Sequence, residues 1–132
     1  VRVGIHCHND TGCAVANTLA AVDAGATHVQ GTVNGYGERT GNADLVTVVA
    51  NLVLKQAKPV LAPEQLAEAT RIAHAVSEIT NVVPYSRQPY VGSSAFAHKA
   101  GLHASAAIAD AVARTPGQRS AKTRLRPCCL AA

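Results

Sequence analysis

The sequence predicts an α/β chain, and three features carry that reading. Residues 1–8 alternate as a strand does, two amphipathic helical stretches follow, and the order of elements is β-α-β-α with short connections. In the first stretch Val1, Val3 and Ile5 point one way, and Arg2, Gly4, His6 and His8 point the other. Asp10 or Thr11 is placed to cap a helix over residues 12–24. There Val15, Leu19 and Val22 fall at i, i+4 and i+7, and Gly25 supplies the stop. Residues 27–33 read as a second short strand, and residues 34–42 as a glycine-rich loop. Asn42 is the expected N-cap of a second helix, 43–55, with Leu45, Val49 and Leu52 on one face. Two strands joined through a helix should pair in parallel with a right-handed crossover.

The pattern changes after Lys58-Pro59. Pro63 opens a third helix at the first-turn position that proline favours. Leu66, Ala69, Ile72, Ala73, Val76 and Ile79 form its expected buried stripe. Residues 81–92 hold two prolines and no period, which predicts a linker or ordered loop. Residues 94–103 are compatible with a helix weakened by Gly101. Residues 104–132 are rich in Ala and then in Arg, without a sustained period.

Composition narrows the function. The chain has 132 residues, about one domain and too few for a complete (β/α)8 barrel, which needs roughly 250. At 48% hydrophobic and 15% charged it is not a disordered solvating chain. With one Phe, three Tyr and neither Trp nor Met, its core must be built from small aliphatic residues. No apolar run is long enough for a membrane span, and no signal peptide is visible. The net charge of +4 is uneven: residues 1–110 carry seven Lys/Arg against all eight acids, whereas residues 111–132 carry five and no acid. A body near neutrality gives no electrostatic reason to expect nucleic acid. Cys7, Cys13, Cys128 and Cys129 form neither a disulfide framework nor a zinc ribbon. Free thiols point to a reducing, cytoplasmic compartment.

Three groups of residues could carry chemistry. His6 and His8, two apart on a strand, leave the same face at its C-terminal end, where parallel α/β folds place their active sites. Two imidazoles so spaced can converge on zinc, iron, copper or nickel, or on manganese with carboxylate help. The competing reading is a pair of polar strand-end residues without a ligand. Asn9 and Asp10 could orient the imidazoles, and Asp10 could equally cap the helix. In the loop, Gly35, Gly37 and Gly41 have the spacing GxGxxxG. That is neither a dinucleotide fingerprint nor a Walker A loop. A plain βα loop is the simpler reading, with Glu38 and Arg39 paired to each other or solvated. His98 and His103, five apart, would not share a helix face, so one could act in acid/base work and the other be structural. His28 and His74 have no assigned role.

Taken together, these segments resemble a known family. His6-Cys7-His8-Asn9-Asp10-Thr11-Gly12, Gly25-Ala26 and the run from Gly31 through Asn34-Gly35-Tyr36-Gly37-Glu38-Arg39-Thr40-Gly41-Asn42 are similar to a signature of the 2-isopropylmalate, homocitrate and citramalate synthases. The run Pro89-Tyr90-Val91-Gly92-Ser93-Ser94-Ala95-Phe96-Ala97-His98-Lys99-Ala100-Gly101-Leu102-His103 looks most like the citramalate branch. The resemblance implies metal-dependent acyltransferases on a TIM barrel, cytoplasmic and active in leucine or isoleucine biosynthesis. Residues 1–57 would be the last two β/α units of that barrel. Residues 58–108 would begin a mostly helical linker subdomain that reaches a neighbouring subunit's site in a homodimer, and 109–132 would be an atypical, disordered basic tail. His6 and His8 match the family's metal-binding histidines, Asn42 matches an asparagine at the metal in some members, and His103 matches an acid/base histidine; His98 matches a nearby position. The implied metal is divalent (Mn, Zn or Mg), and the implied substrates are acetyl-CoA and a 2-oxo acid, pyruvate or 2-oxoisovalerate.

The remaining metal carboxylate of that family belongs to a barrel strand not present here, so weak metal binding and no turnover are expected of this chain alone. The shift in composition after Ser105-Ala106 suggests a reading-frame change or truncated product. Two other functions stay open: a nucleotide- or phosphate-binding β-α-β module that uses the glycine-rich loop, and a non-catalytic remnant that binds nucleic acid weakly through its basic tail.

Overall fold

The structure, a computed structural model, describes residues 1–97. It is α/β, built on two short parallel strands, β1 (Gly4–His6) and β2 (His28–Gln30). Their register pairs Gly4 with His28, Ile5 with Val29 and His6 with Gln30. Four helices follow the expected order: α1 (Ala14–Asp23), α2 (Leu45–Leu54), α3 (Pro63–Ala67) and α4 (Ala69–Thr80). A 3-10 turn at Val33–Gly35 and another at Ser93–Phe96 complete the described chain. None of these helices is long and apolar enough to cross a membrane.

The sheet is covered on one face. Ala14 of α1, Ala43 of the loop, and Val48 and Leu52 of α2 are buried against Cys7, Val15, Leu19, Val22 and Val29. Side chains alternate along a strand, so Cys7 and Val29 turn toward the helices while His6 and Gln30 turn away and are exposed. A second core lies on the other side of α2. There Val46 and Ala50 pack with Leu66 of α3, Ala73 of α4, and Tyr90 and Val91 of the following turn. Residues 58–97 therefore do not stand apart from the first two β/α units but share a core with α2.

Both helix starts differ from expectation. The chain makes a β-bridge between His8 and Asn42, and a second between Thr32 and Asp44. Asn42 is thereby held in extended conformation, and α2 begins after Asp44. Asp44 Oδ1 accepts from the Val46 amide at 3.1 Å and Oδ2 from the Thr47 hydroxyl at 2.6 Å, which makes Asp44 the N-cap. At α1 neither Asp10 nor Thr11 caps. Asn9 Oδ1 instead accepts from the Ala14 amide at 3.2 Å.

The expected third helix is divided at Glu68, and its expected stripe is buried at Leu66 and Ala73, half-buried at Ala69 and Val76, and exposed at Ile72 and Ile79. Leu66, Ala73 and Ser77 are buried, whereas Ile72 is 40% and Ile79 83% exposed. The small residues Ala73 and Ser77 let α4 approach the glycine-rich loop closely, so the larger isoleucines are left on the outer side.

Candidate functional site

His6 ends β1, and His8 follows two residues after it, tied by its bridge to Asn42. Both imidazoles are exposed on the uncovered face of the sheet. Their ring centroids are 5.1 Å apart and the rings are nearly perpendicular, at 77°. Cys7 between them turns into the helix-covered core, as a period of two requires.

Backbone bonds on both sides of the bridge fix Asn42 beside His8. The Ala43 amide donates to Cys7 O at 2.9 Å, and the Asn9 amide donates to Gly41 O at 2.8 Å. The Asn42 amide itself donates to Gly35 O at 2.9 Å, which closes the glycine-rich loop on itself. Asn42 Nδ2 donates to Tyr36 O at 3.1 Å. Its Oδ1 is buried and meets no donor among the described residues. A buried amide oxygen without a partner is rare and costly, and a cation is one way to satisfy it.

The two imidazoles are donors of the kind that zinc or a similar divalent ion takes. No group of three or more His, Cys, Asp or Glu able to hold a metal occurs among the described residues. A carboxylate ligand would have to come from elsewhere. His98 and His103 lie outside the described residues, as does the basic tail. His28 is exposed on β2, where it pairs with Gly4, and His74 Nε2 lies 3.3 Å from Val91 O.

A clasp that sequence reasoning missed closes over this region. Arg39 Nε and Nη2 bind Asp10 Oδ1 and Oδ2 at 2.6 and 3.0 Å, a bidentate pair across 29 residues. Glu38 is only a distant second partner of Arg39, at 3.7 Å. Asp10 thus joins the loop after β1 to the glycine-rich loop, and this explains why it does not cap α1. Arg39 adopts a positive φ of 54°, unusual outside glycine, and places its guanidinium there. No local sequence signal links Asp10 with Arg39, whereas the Asp-x-x-Thr of Asp44 and Thr47 is a readable capping pattern.

The hydrogen bonds from Arg39 hold the Asp10 carboxyl below its ordinary value of 3.8. A depressed carboxylate stabilises the fold above its unfolded value, and that contribution is lost as pH falls through the folded one. Both partners are largely exposed, so salt screens the pair. An Arg39→Leu variant is accordingly expected to melt below wild type at pH 7 in low salt. The difference should shrink in 1 M NaCl and vanish below the carboxylate range. Thermal unfolding at three pH values in low and high salt measures this; a gap unchanged by salt and acid would refute the ionic origin.

A parallel strand pair with helices on one face and paired imidazoles at the strand ends defines an α/β chain of enzyme-like layout. Residues 1–76 match the HMGL-like family, more than half of the chain, and the chain belongs to that family. It is 68% identical over 109 residues to the (R)-citramalate synthase of Streptomyces coelicolor, a match that covers 83% of this chain and 20% of the relative. Against the (R)-citramalate synthase of Synechocystis it is 57% identical over 105 residues, covering 80% and 19%. Against the homocitrate synthase of Pyrococcus abyssi it is 44% identical over 110 residues, covering 83% and 30%. The resemblance to the citramalate branch is therefore shown, and the chain spans about a fifth of the length of the citramalate synthases it matches.

Proposed function

We propose that this chain is part of a metal-dependent acyltransferase of the citramalate synthase type, which condenses acetyl-CoA with pyruvate. The observation that carries the reading is the pair of exposed imidazoles, 5.1 Å apart on the uncovered face of the sheet. In this reading residues 1–57 are the last two β/α units of a TIM barrel and residues 58–108 begin the linker subdomain of a homodimeric, cytoplasmic enzyme. Helices cover the face of β1 that carries Cys7, so the histidine face is the one a closed barrel would enclose.

His6, His8 and Asn42 would hold the divalent cation. When bound, that cation supplies Lewis acidity to the keto group of the 2-oxo acid. The strand holds His6 and His8 at fixed spacing, and the bridge from His8 to Asn42 brings the Asn42 backbone beside His8. The Asp10–Arg39 clasp joins the two loops that carry these residues. His103 is assigned the acid/base work. A methyl proton leaves acetyl-CoA, its methyl carbon bonds to the keto carbon, and the new hydroxyl oxygen takes up a proton. Water then cleaves the thioester and CoA thiol departs.

A chimera tests the proposal. The aligned 109-residue segment of this chain replaces its 68% identical counterpart in the Streptomyces coelicolor enzyme, and CoA release is followed with pyruvate or 2-oxoisovalerate. Pyruvate-dependent release within about tenfold of the parent is expected, since segments this similar carry near-identical cores. A folded dimeric chimera that releases no CoA would refute the assignment. A preference for 2-oxoisovalerate would move it to the isopropylmalate branch.

A further inference from the structure

A polar interlock outside the histidine pair joins the glycine-rich loop to the rest of the chain. Gln88 Nε2 lies 3.2 Å from Asn34 Oδ1 and 3.0 Å from Asp44 Oδ2, contacts that span 54 and 44 residues of sequence. Asn34 sits at a positive φ of 62°. Its Nδ2 donates to Ala73 O at 2.8 Å and approaches Ser77 Oγ at 3.1 Å. Tyr36 OH lies 3.0 Å from the same Ser77 hydroxyl. These contacts fasten the loop's first residues to α4, and Gln88 ties both Asn34 and the Asp44 cap that follows the loop to the turn at 85–92.

That turn is itself rigid. The Gln88 amide donates to Tyr85 O at 3.0 Å, the Gly92 amide to Gln88 O at 3.0 Å, and the Ser94 amide to Ser86 O at 2.8 Å. Tyr90 and Val91 are 6% and 2% exposed and anchor it in the α2 core. Gln88 and Asn42 line one cleft.

We propose that Gln88 is a positioning residue: by bridging Asn34 and Asp44 it locks the glycine-rich loop in the conformation that holds Asn42 against His8. The path is continuous. Asn34 adjoins Gly35, whose carbonyl accepts the Asn42 amide, and Asn42 bridges His8. Asp44, the other anchor, starts α2 two residues after Asn42. The link to metal holding rests on the function proposed above; the link to loop order does not.

The test uses the whole 132-residue chain and an isosteric change, Gln88→Glu, which keeps volume but replaces the bridging donor with a carboxylate facing Asp44. The double variant Gln88→Glu/Asp44→Asn returns a donor to the pair, and Asn remains a good N-cap. Hydrogen exchange is read at the amides of Asn9, Asn42 and Ala43, with the α1 amides as internal reference. In Gln88→Glu the three loop amides should exchange about tenfold faster while α1 is unchanged, a local opening. The double variant should recover a large part of that protection.

Zn²⁺ affinity, read by calorimetry on the same three proteins, should weaken and recover in parallel. Unchanged loop exchange, an equal rise in α1, or no recovery in the double variant would each overturn the proposal. If Zn²⁺ binds none of the three proteins, the metal reading fails, while the exchange pattern still decides whether Gln88 orders the loop.

Discussion

Zn²⁺ at about ten times its dissociation constant should raise the Tm of the wild-type chain by roughly 4 to 7 °C, and replacing either His6 or His8 by alanine should abolish that rise. The magnitude follows from mass action: a ligand at tenfold excess over Kd stabilises the state it binds by about 1.4 kcal/mol. In a chain of 132 residues each kcal/mol moves Tm by roughly 3 to 5 °C. Both residues are exposed, so truncating them removes little packing and should leave the metal-free Tm nearly unchanged. This separates loss of a ligand from loss of a fold. A single imidazole that retained the whole shift would mean that the two rings do not act on one ion, despite their 5.1 Å separation. Surviving ATP or NAD binding in the double alanine variant would instead favour the nucleotide-binding alternative.

The second large effect is expected at Gly41. Its φ is +92°, and a methyl group added there would run into the Gly35 carbonyl. That carbonyl accepts the Asn42 amide, so the clash falls on the bond that closes the loop. Gly12 is the natural comparison: its φ is +74°, but nothing lies within 4 Å of an added methyl. Gly12→Ala should therefore cost only the conformational penalty, about 1 kcal/mol. Gly41→Ala adds a backbone collision and the loss of at least one loop hydrogen bond, for a total of about 3 kcal/mol or more. Urea unfolding of the two variants measures the gap. Equal midpoints would show that the loop relaxes at no cost and does not hold Asn42. The loop variant should also lose most of its Zn²⁺-dependent rise in Tm, whereas the Gly12 variant should keep it.

Some of this molecule was legible from the residues alone, because the relevant forces are local. The alternation around Ile5 marks a strand and places His6 and His8 on one face of it, since side-chain direction in a strand depends only on parity. The spacing of Val15, Leu19 and Val22 marks α1, and Pro63 marks the start of α3. The family likeness was carried by contiguous motifs, which need no knowledge of contacts.

What chain order alone left open was every choice between competing partners. Asp10 could cap a helix or orient an imidazole, and in the folded chain it binds Arg39 instead. Asn42 could start α2, but its bridge to His8 passes that role to Asp44. Ala73 of the expected stripe is buried, but isoleucines 72 and 79 of the same stripe are exposed, and Ser77, outside it, is buried where α4 meets the loop. Gln88 carried no signal at all, because its partners lie 54 and 44 residues away. Each polar side chain has several acceptors or donors of similar strength within reach of an unfolded chain, and only the packed arrangement decides which one it meets.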